Sequence, residues 1–551
     1  MNPPPQRRLS GEALLFGLLL ILHLALVWAF PFLPTQDGPG HQALAFILRQ
    51  YDRPEAGLLR QYYVPNREAL PNWFIFFLMS RVLVFLPVAL TEKVLVSAYV
   101  LLLPLSARYA LRALDPRSGF LAVLAFPFTY NYLFHMGFFN FCFSLPAFFF
   151  TVGYWLKRSE GMGPLQTAGL ALLILWVYFC HPVTLVATVA ALLTLAGWQA
   201  VLERRSVRGL WSGFRRWLLG PVLACLPALT LMAAFVGRRT GAKISFLPMW
   251  VKIKHLGALY SLASLSEWTI PLAALLALLF YVLAILCLHS RGLRPPGPAD
   301  GLLLVIVVFL VAYFTAPSTL SGGGFINHRL NLFPSLILIL WFGTCEHPVG
   351  RRRAIQAVAA AIAVAFLGVF AWMYARIDSD LSEIVAAGDH IEPDHTLLFL
   401  SYAHQGERPD GQPLVFRTEL FLHAGGYIAA EKRLADLSLY EANEDYFPIL
   451  YRPALNPYKK LSTVPLGIEA KPPRVDLLGY PQRTGGRVDY VLLWGLRDER
   501  RREPAVAETL RQLGVAYEKI WNSPDRKVAL YRARLGRSVP VSPSADTKDM
   551  G

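Results

Sequence analysis

The chain has 551 residues, a mean hydropathy of +0.41 and only 16% charged residues. Soluble domains average about 25% charged residues, so this composition excludes an ordinary soluble protein. The formal net charge of +16 lies largely in short loops between apolar runs, which is the pattern of the positive-inside rule and argues against a nucleic-acid partner.

Apolar runs of roughly 18 to 22 residues, the length that crosses a bilayer as a helix, recur along residues 1–376. The first run is too long for a cleaved signal peptide and has no small-residue cleavage site. In chain order, the segments that this pattern predicts are Ala13–Phe30, Trp73–Leu90, Val94–Leu114, Phe120–Phe134, Phe138–Trp155, Leu165–Cys180, Val183–Leu202, Trp217–Val236, Trp268–His289, Leu302–Phe314, Leu330–Cys345 and Ile355–Tyr374.

The basic loops set the orientation of these segments, because short loops rich in Lys and Arg stay in the cytoplasm. All the basic loops lie on the cytoplasmic side only if one of the early segments does not cross the membrane. Trp73–Leu90 is the best choice for this segment, because Arg81 interrupts its apolar run and Pro87 breaks its helix. The sequence therefore predicts a polytopic α-helical protein of the cell (inner) membrane with about eleven spans, one re-entrant or interfacial helix and a cytoplasmic N-terminus.

The last third of the chain is charged, mixed in composition and punctuated by proline. Thr396–Ser401 and Asp489–Trp494 are predicted as short buried strands, and Ala505–Leu513 as an amphipathic helix. Tyr517–Trp521 and Val528–Tyr531 flank a turn sequence and predict a hairpin. We therefore predict a transmembrane domain at residues 1–376, a small C-terminal extracytoplasmic α/β domain at 377–536 and a disordered tail at 537–551.

Asp37 and His41 lie four residues apart where the chain leaves the first apolar segment. Pro39 suits the first turn of a helix, so one interpretation makes Asp37 the N-cap of that helix, with His41 one turn further on. The other interpretation makes Asp37 a general base that takes a proton from an acceptor hydroxyl. The two interpretations are compatible, and the sequence leaves both open.

Further polar residues at the predicted outer ends of spans are candidates to line one cavity: His135, Asn140, His181, Asn327 and His328. Arg329 follows a glycine run and begins an apolar segment. An arginine in this position either extends its charged end to the membrane interface or binds a phosphate through two hydrogen-bond donors. One outer loop departs from the positive-inside trend with Arg238, Arg239, Lys252 and Lys254. This departure favours an anionic group on the outer side, and a solvated amphipathic loop is the alternative.

The order of these features resembles the GT-C superfamily of integral membrane glycosyltransferases. The matching features are an acid soon after the first span, a non-crossing segment, and an element running from Arg329 to Pro334 that opens a late span. The resemblance implies a sugar donor linked to polyprenyl phosphate and an extracytoplasmic acceptor glycan, lipid or protein. It implies that Asp37 is the base and that Arg329 binds the donor phosphate. Many members carry two acids in the first outer loop, whereas here Asp37 has no acidic neighbour and His41 is nearest, so His41 is predicted to be catalytic together with Asp37.

Two other functions stay open from the sequence: a non-catalytic membrane assembly or scaffold protein, and a transporter or lipid flippase. A transporter is expected to carry ionisable residues in the middle of its spans, and acids are scarce there. The spacing of the histidines gives no support to a zinc or manganese site, so no metal or other cofactor is predicted.

Overall fold

The computed structural model describes residues 11–204, 213–238, 244–292, 294–320 and 323–534. Arg239 and the predicted tail at 537–551 lie outside these residues. Helices dominate, and among the described residues seven are long and apolar enough to cross a membrane: Gly11–Trp28, Val88–Leu114, Phe139–Arg158, Pro182–Glu203, Arg215–Gly237, Thr269–Arg291 and Val349–His390. These helices indicate a membrane-embedded protein. The number of about eleven spans and their orientation stay predictions.

Several predicted spans take other forms. Leu165–Cys180 and Leu302–Phe314 correspond to the shorter apolar helices Pro164–Cys180 and Asp300–Thr315. The predicted span Leu330–Cys345 is replaced by two shorter helices that are separated at Asn331, Ile326–Leu330 and Leu332–Phe342.

The predicted span Phe120–Phe134 is not an α-helix. The chain forms a 3-10 helix at Pro116–Phe128 and a short helix at Tyr132–His135. Nearly every side chain of Pro116–Phe128 is buried, and it packs against Val88–Leu114 and Val349–Ala386. Its apolar sequence therefore reflects burial inside the protein, a case that hydropathy cannot distinguish from contact with lipid.

The segment predicted not to cross is short and irregular. It consists of a single α turn at Phe74–Phe77 and a π turn at Leu78–Val82, together about 13 Å long at 1.5 Å per residue, against about 30 Å for the apolar core of a bilayer. Arg49 satisfies the carbonyls that this irregular backbone leaves free. Its guanidinium donates to the Met79 carbonyl, to the Leu86 carbonyl at 2.6 Å and to the Leu83 carbonyl at 3.1 Å.

The remaining described α-helices lie between the long ones or in the last third of the chain. They are Gly38–Gln50, Gly57–Tyr62, Met249–Gly257, Gly425–Lys432, Pro457–Lys460, Gly479–Thr484 and Pro504–Ala516. The last of them confirms the predicted amphipathic helix, with Val506 and Leu513 on its buried face.

The strands form one mixed sheet and one separate pair. They are β1 (Tyr63–Pro65), β2 (Thr396–Ser401), β3 (Ala435–Asp436), β4 (Ile449–Tyr451), β5 (Tyr490–Trp494), β6 (Tyr517–Asn522) and β7 (Val528–Ala533). The sheet has the order β3-β2-β5-β7-β6, parallel from β3 to β5 and antiparallel from β5 to β6. The two predicted strands and the hairpin are confirmed, and β2 and β5 are buried throughout.

The C-terminal region (residues 387–534) packs directly on the first loop (residues 29–73). Strand β1 of the loop pairs antiparallel with β4, with Tyr63 opposite Tyr451. The Tyr427 hydroxyl donates to the Leu33 carbonyl at 2.9 Å. Gly426 has no room for a side chain because a Cβ atom there would collide with the Pro39 carbonyl. The two segments therefore fold as one unit around the start of helix Gly38–Gln50.

Candidate functional site

A cavity of about 820 Å³ lies where the first loop, the ends of several membrane helices and the C-terminal region meet. One part of its wall is polar and consists of Asp37, His41, Asn140, His181, Arg329, Arg417, Glu419, His423, Tyr440 and Glu469. The other part is apolar and includes Val183, Val186, Met232, Phe235 and Val236. Five of the residues singled out from the sequence thus line one cavity with partners from the last third of the chain.

Asp37 occupies the N-cap position of helix Gly38–Gln50, but its side chain makes no capping hydrogen bond. The carboxylate instead accepts a hydrogen bond from the Tyr440 hydroxyl at 3.0 Å and one from the Gln36 amide at 3.2 Å. The Nε2 atom of His423 lies 4.0 Å from Oδ1. The interpretation of Asp37 as a helix cap therefore holds for its position and is wrong for its side chain.

The environment of Asp37 suits a proton acceptor. Burial raises its pKa from an ordinary value of 3.8 to about 7, and the hydrogen bonds from Tyr440 and Gln36 oppose this rise. The charge of Glu469 adds to the rise and that of Arg329 opposes it. A general base is most effective when its pKa lies near the working pH, so this carboxylate is poised to take up a proton at neutral pH.

Removing the Tyr440 hydroxyl is expected to raise the pKa of Asp37 further, because that hydrogen bond favours the charged carboxylate. In Tyr440→Phe, any activity that needs ionised Asp37 should rise with pH at a higher midpoint than in the wild type. The pH dependence of the reaction rate measures this shift. Tyr427→Phe is the matched control, since its hydroxyl binds a backbone carbonyl, and it should leave the midpoint unchanged. A shift of the midpoint to lower pH in Tyr440→Phe would contradict the assignment.

His41 lies one turn along the helix and is held by aromatic rings. Its imidazole packs edge-on against Phe76 and Phe139, with ring centroids 5.1 and 5.6 Å away. Its Nε2 atom lies 3.9 Å from Oε1 of Glu441. Burial and, to a smaller extent, the nearby His423 lower the pKa of His41 to about 3, so the ring is neutral at physiological pH.

Arg329 is buried and lies against aromatic rings. Its guanidinium carbon is 4.8 Å from the ring centre of Phe138 and 5.8 Å from that of Phe141. One Nη1 hydrogen bond goes to the Gly324 carbonyl, and Nε has no partner among the described residues. No described carboxylate lies within ion-pair distance of this guanidinium, although a buried charge is ordinarily paired.

Arg417 supplies a second guanidinium to the same wall. It lies between the rings of Tyr132 and Tyr260, 3.9 and 4.1 Å from their centres. Its Nη1 atom donates to the carbonyls of Tyr260 at 2.9 Å and Ala263 at 2.7 Å. These contacts hold the C-terminal region against two elements of the helical part and fix the position of the cation.

Asn140 and His181 line the cavity with structural bonds of their own. The Asn140 amide donates to the Asn72 carbonyl at 2.6 Å and accepts from the Ile75 amide at 3.0 Å, which holds the start of the irregular segment. The His181 ring accepts from the Val183 amide at 3.2 Å and packs on Phe141.

Three predicted substrate-binding residues lie close to the cavity but outside its lining. Both ring nitrogens of His135 are bonded, to Ser264 at 2.7 Å and Tyr374 at 3.0 Å. The Asn327 amide donates to the Tyr313 carbonyl at 3.1 Å. The His328 ring packs on Tyr132, 5.3 Å between centroids, and its Nε2 lies 3.5 Å from Nη2 of Arg417. These side chains stabilise the fold around the cavity.

The basic residues predicted to attract an anion are separated from the cavity lining. Lys252 is buried and its ammonium donates to the carbonyls of Phe314 at 2.9 Å and Ala316 at 2.8 Å, which caps the helix Asp300–Thr315. Arg238 forms an exposed ion pair with Glu68, and Lys254 is exposed. The solvated-loop interpretation therefore fits Arg238 and Lys254 better than a substrate site, whereas Lys252 is a buried helix cap.

The residues that the sequence did not reveal come from the C-terminal region: Arg417, Glu419, His423, Tyr440 and Glu469. No spacing connects them to Asp37, because more than half of the chain separates the two groups. One signal was present. The pair Gly425-Gly426, just after His423, indicates close packing against other elements: Gly426 meets the backbone at Pro39, and Gly425 meets the Phe399 side chain.

No protein-family model matches the chain, and no curated protein matches it. Among the described residues, no three His, Cys, Asp or Glu side chains are grouped so that they could hold a metal ion. The expectation of no cofactor stays a prediction.

Proposed function

We propose that the protein is an integral membrane glycosyltransferase of the GT-C type. It moves a sugar from a polyprenyl-phosphate carrier to an extracytoplasmic acceptor glycan, lipid or protein at the cell (inner) membrane. Asp37 is the general base and Arg329 binds the donor phosphate. The observation that carries the proposal is the buried Arg329, without a carboxylate partner among the described residues, in the same cavity as Asp37.

The cations of the cavity favour an anionic ligand. Burying a guanidinium without a counter-ion costs several kcal/mol or more, so such a group persists where a ligand supplies the charge. Arg329 and Arg417 both line the cavity, and a guanidinium binds phosphate with two parallel hydrogen bonds.

The apolar wall favours a lipid chain on that anion. Val186 and Val236 belong to helices Pro182–Arg204 and Leu219–Gly237, and 60% and 59% of their surfaces are exposed. Both residues also line the cavity. This apolar surface would hold a lipid chain whose charged end reaches the polar wall.

The transfer step follows from this arrangement. The acceptor hydroxyl gives its proton to Asp37 while its oxygen attacks the anomeric carbon of the donor sugar. The bond from that carbon to the phosphate oxygen breaks, and the electron pair leaves with the polyprenyl phosphate. Arg329 stabilises the charge that develops on this leaving group, which is where a preorganised cation contributes most.

The two competing functions predict other results. A transporter or flippase moves its substrate across the bilayer without breaking a glycosidic bond. A scaffold requires the cavity only for folding, so substitution of Asp37 by the near-isosteric asparagine should not impair its role.

The proposal is tested with the purified full-length protein in proteoliposomes that contain polyprenyl-phosphate-linked hexoses or pentoses, with an extract of cell-envelope glycans and lipids supplied as the acceptor. We expect release of free polyprenyl phosphate with at least one donor, measured by mass spectrometry, and loss of this release in Arg329→Gln. Arg238→Gln is the control, because that arginine is exposed and paired with Glu68 outside the cavity. Uptake or flipping of the donor with no bond cleavage in the wild type would contradict the proposal.

A further inference from the structure

Glu441 is a buried carboxyl group directly behind His41. It lies in the short 3-10 turn Tyr440–Asn443, and its side chain is fully buried. Neither carboxyl oxygen has a hydrogen-bond partner among the described residues. Its Oε1 atom is 3.9 Å from Nε2 of His41, so a hydrogen bond between them requires an approach of roughly 1 Å.

The sequence leaves room for this carboxyl group at Gly40. A Cβ atom on Gly40 would lie 2.5 Å from Oε1 of Glu441, which is closer than real contacts allow. Because Gly40 has no side chain, Glu441 can approach the first turn of helix Gly38–Gln50 beside His41. The acid that the first loop lacks next to Asp37 is thus brought in from the C-terminal region.

The protonation states of the pair follow from burial. Burial raises the pKa of Glu441 well above its ordinary value, and the charge of Asp37 raises it further. Burial lowers the pKa of His41. Both shifts favour the uncharged form of the group, and in that form a carboxylic acid is a hydrogen-bond donor facing an imidazole acceptor.

We propose that Glu441 is a positioning residue for His41: its carboxylic acid donates a hydrogen bond to Nε2 and fixes the imidazole in the cavity wall, one helical turn from Asp37. This inference rests on the proposed transferase function. A ring held in this way gives the acceptor a fixed contact beside the base, whereas an imidazole held only by Phe76 and Phe139 is free to turn over. Hydrogen-bond partners that orient metal-bound histidines contribute about tenfold to hundredfold in activity, and we expect an effect of this order for a histidine oriented in the same way here.

Other ionisable groups face this pair and take part in its titration. They are Asp37 at the N-cap of the same helix, His423 beside Asp37, and Tyr440, Asp436 and Glu469 in the C-terminal region. The variants Glu441→Gln and Glu441→Leu keep all of these groups, so a difference in activity between the two variants is due to the side chain at position 441.

The activity test compares Glu441→Gln with Glu441→Leu in the full-length protein. Glutamine keeps a donor for Nε2 and is expected to lower the transfer rate about threefold, whereas leucine has none and should lower it about thirtyfold with little change in donor KM. On the alkaline side of the pH optimum set by Asp37, wild-type activity should fall as Glu441 ionises, and Glu441→Gln should lack this alkaline fall. Equal rates for Glu441→Leu and the wild type, or the same alkaline fall in Glu441→Gln, would overturn the inference.

A second measurement does not depend on transfer. Nitrogen-15 spectra of histidine-labelled protein in proteoliposomes, with the His41 signals assigned by their loss in His41→Gln, report hydrogen bonding at each ring nitrogen. We expect the Nε2 signal of a hydrogen-bonded acceptor in the wild type and its loss in Glu441→Leu. Identical His41 signals in both proteins would contradict the role of Glu441, whether or not the wild type transfers sugar. A wild type with the expected signal but no transfer would contradict only the proposed function.

Discussion

Replacing Asp37 with asparagine is expected to lower the transfer rate by about a hundredfold to ten-thousandfold and to stabilise the fold. The rate falls because asparagine cannot take the proton of the acceptor hydroxyl. It keeps the size of the side chain and an oxygen that can accept from Tyr440, so the cavity is preserved. The transfer rate and the melting temperature of the detergent-solubilised protein are the two measurements.

The sign of the stability change follows from the raised pKa of Asp37. The pKa of Asp37 is about 7 in the folded protein, and 3.8 is the ordinary value expected in the unfolded chain. The folded state therefore binds the proton more tightly than the unfolded state does. The carboxylate therefore lowers the free energy of unfolding as pH rises from about 4 to 7, by at most about 4 kcal/mol at 1.36 kcal/mol per pKa unit. The stabilisation by asparagine should be largest above pH 7 and absent near pH 4.

Asp436→Asn is the matched control for this experiment. Asp436 is also buried, burial raises its pKa to about 6, and its partner is Ser438 rather than a group of the cavity wall. Its replacement should change stability with pH in the same direction and leave transfer near the wild-type rate. Loss of transfer in both variants, or a lower melting temperature for Asp37→Asn at pH 8, would assign Asp37 a structural role.

Replacing Arg329 with glutamine is expected to weaken the binding of polyprenyl phosphate by about 2 to 5 kcal/mol, which is about thirtyfold to several thousandfold. The loss of binding free energy has two causes. Glutamine cannot make the two-donor contact with the phosphate, and it lacks the positive charge that offsets the burial of the phosphate. Binding of polyprenyl phosphate to the protein in lipid nanodiscs, followed by native mass spectrometry, measures the effect. In the absence of ligand the variant should be at least as stable as the wild type, since an unpaired buried cation is removed.

Arg329→Lys and Arg238→Gln separate the contributions to this loss. Lysine keeps the charge but has no planar fork, so it should recover only part of the binding. Arg238→Gln removes one positive charge outside the cavity and should bind like the wild type. Equal binding by Arg329→Gln and the wild type would contradict the role of Arg329.

The fold was predictable where the sequence pattern is local. Strands β2 and β5 are continuous apolar runs, and the hairpin β6–β7 surrounds a turn sequence, so each was found from a few neighbouring residues. Hydropathy was less reliable for the segment Phe120–Phe134, because an apolar segment buried among protein helices has the same composition as one that faces lipid.

The candidate site was half predictable. Asp37, His41 and Arg329 lie at positions where local sequence is unusual, and the structure brings all three to one cavity. Tyr440 and Glu441 carry no such signal, because their importance comes from packing against a turn 400 residues earlier in the chain. That contact depends on Gly40 and Gly426, whose missing side chains become meaningful only when the opposing element is known.

The most direct test is an electron cryo-microscopy structure of the wild-type protein in lipid nanodiscs with saturating polyprenyl phosphate. We expect the phosphate beside Arg329, in the same cavity as Asp37, and the lipid chain along Val186 and Val236 between their two helices. An empty cavity under these conditions, or a phosphate bound away from Arg329, would contradict the account.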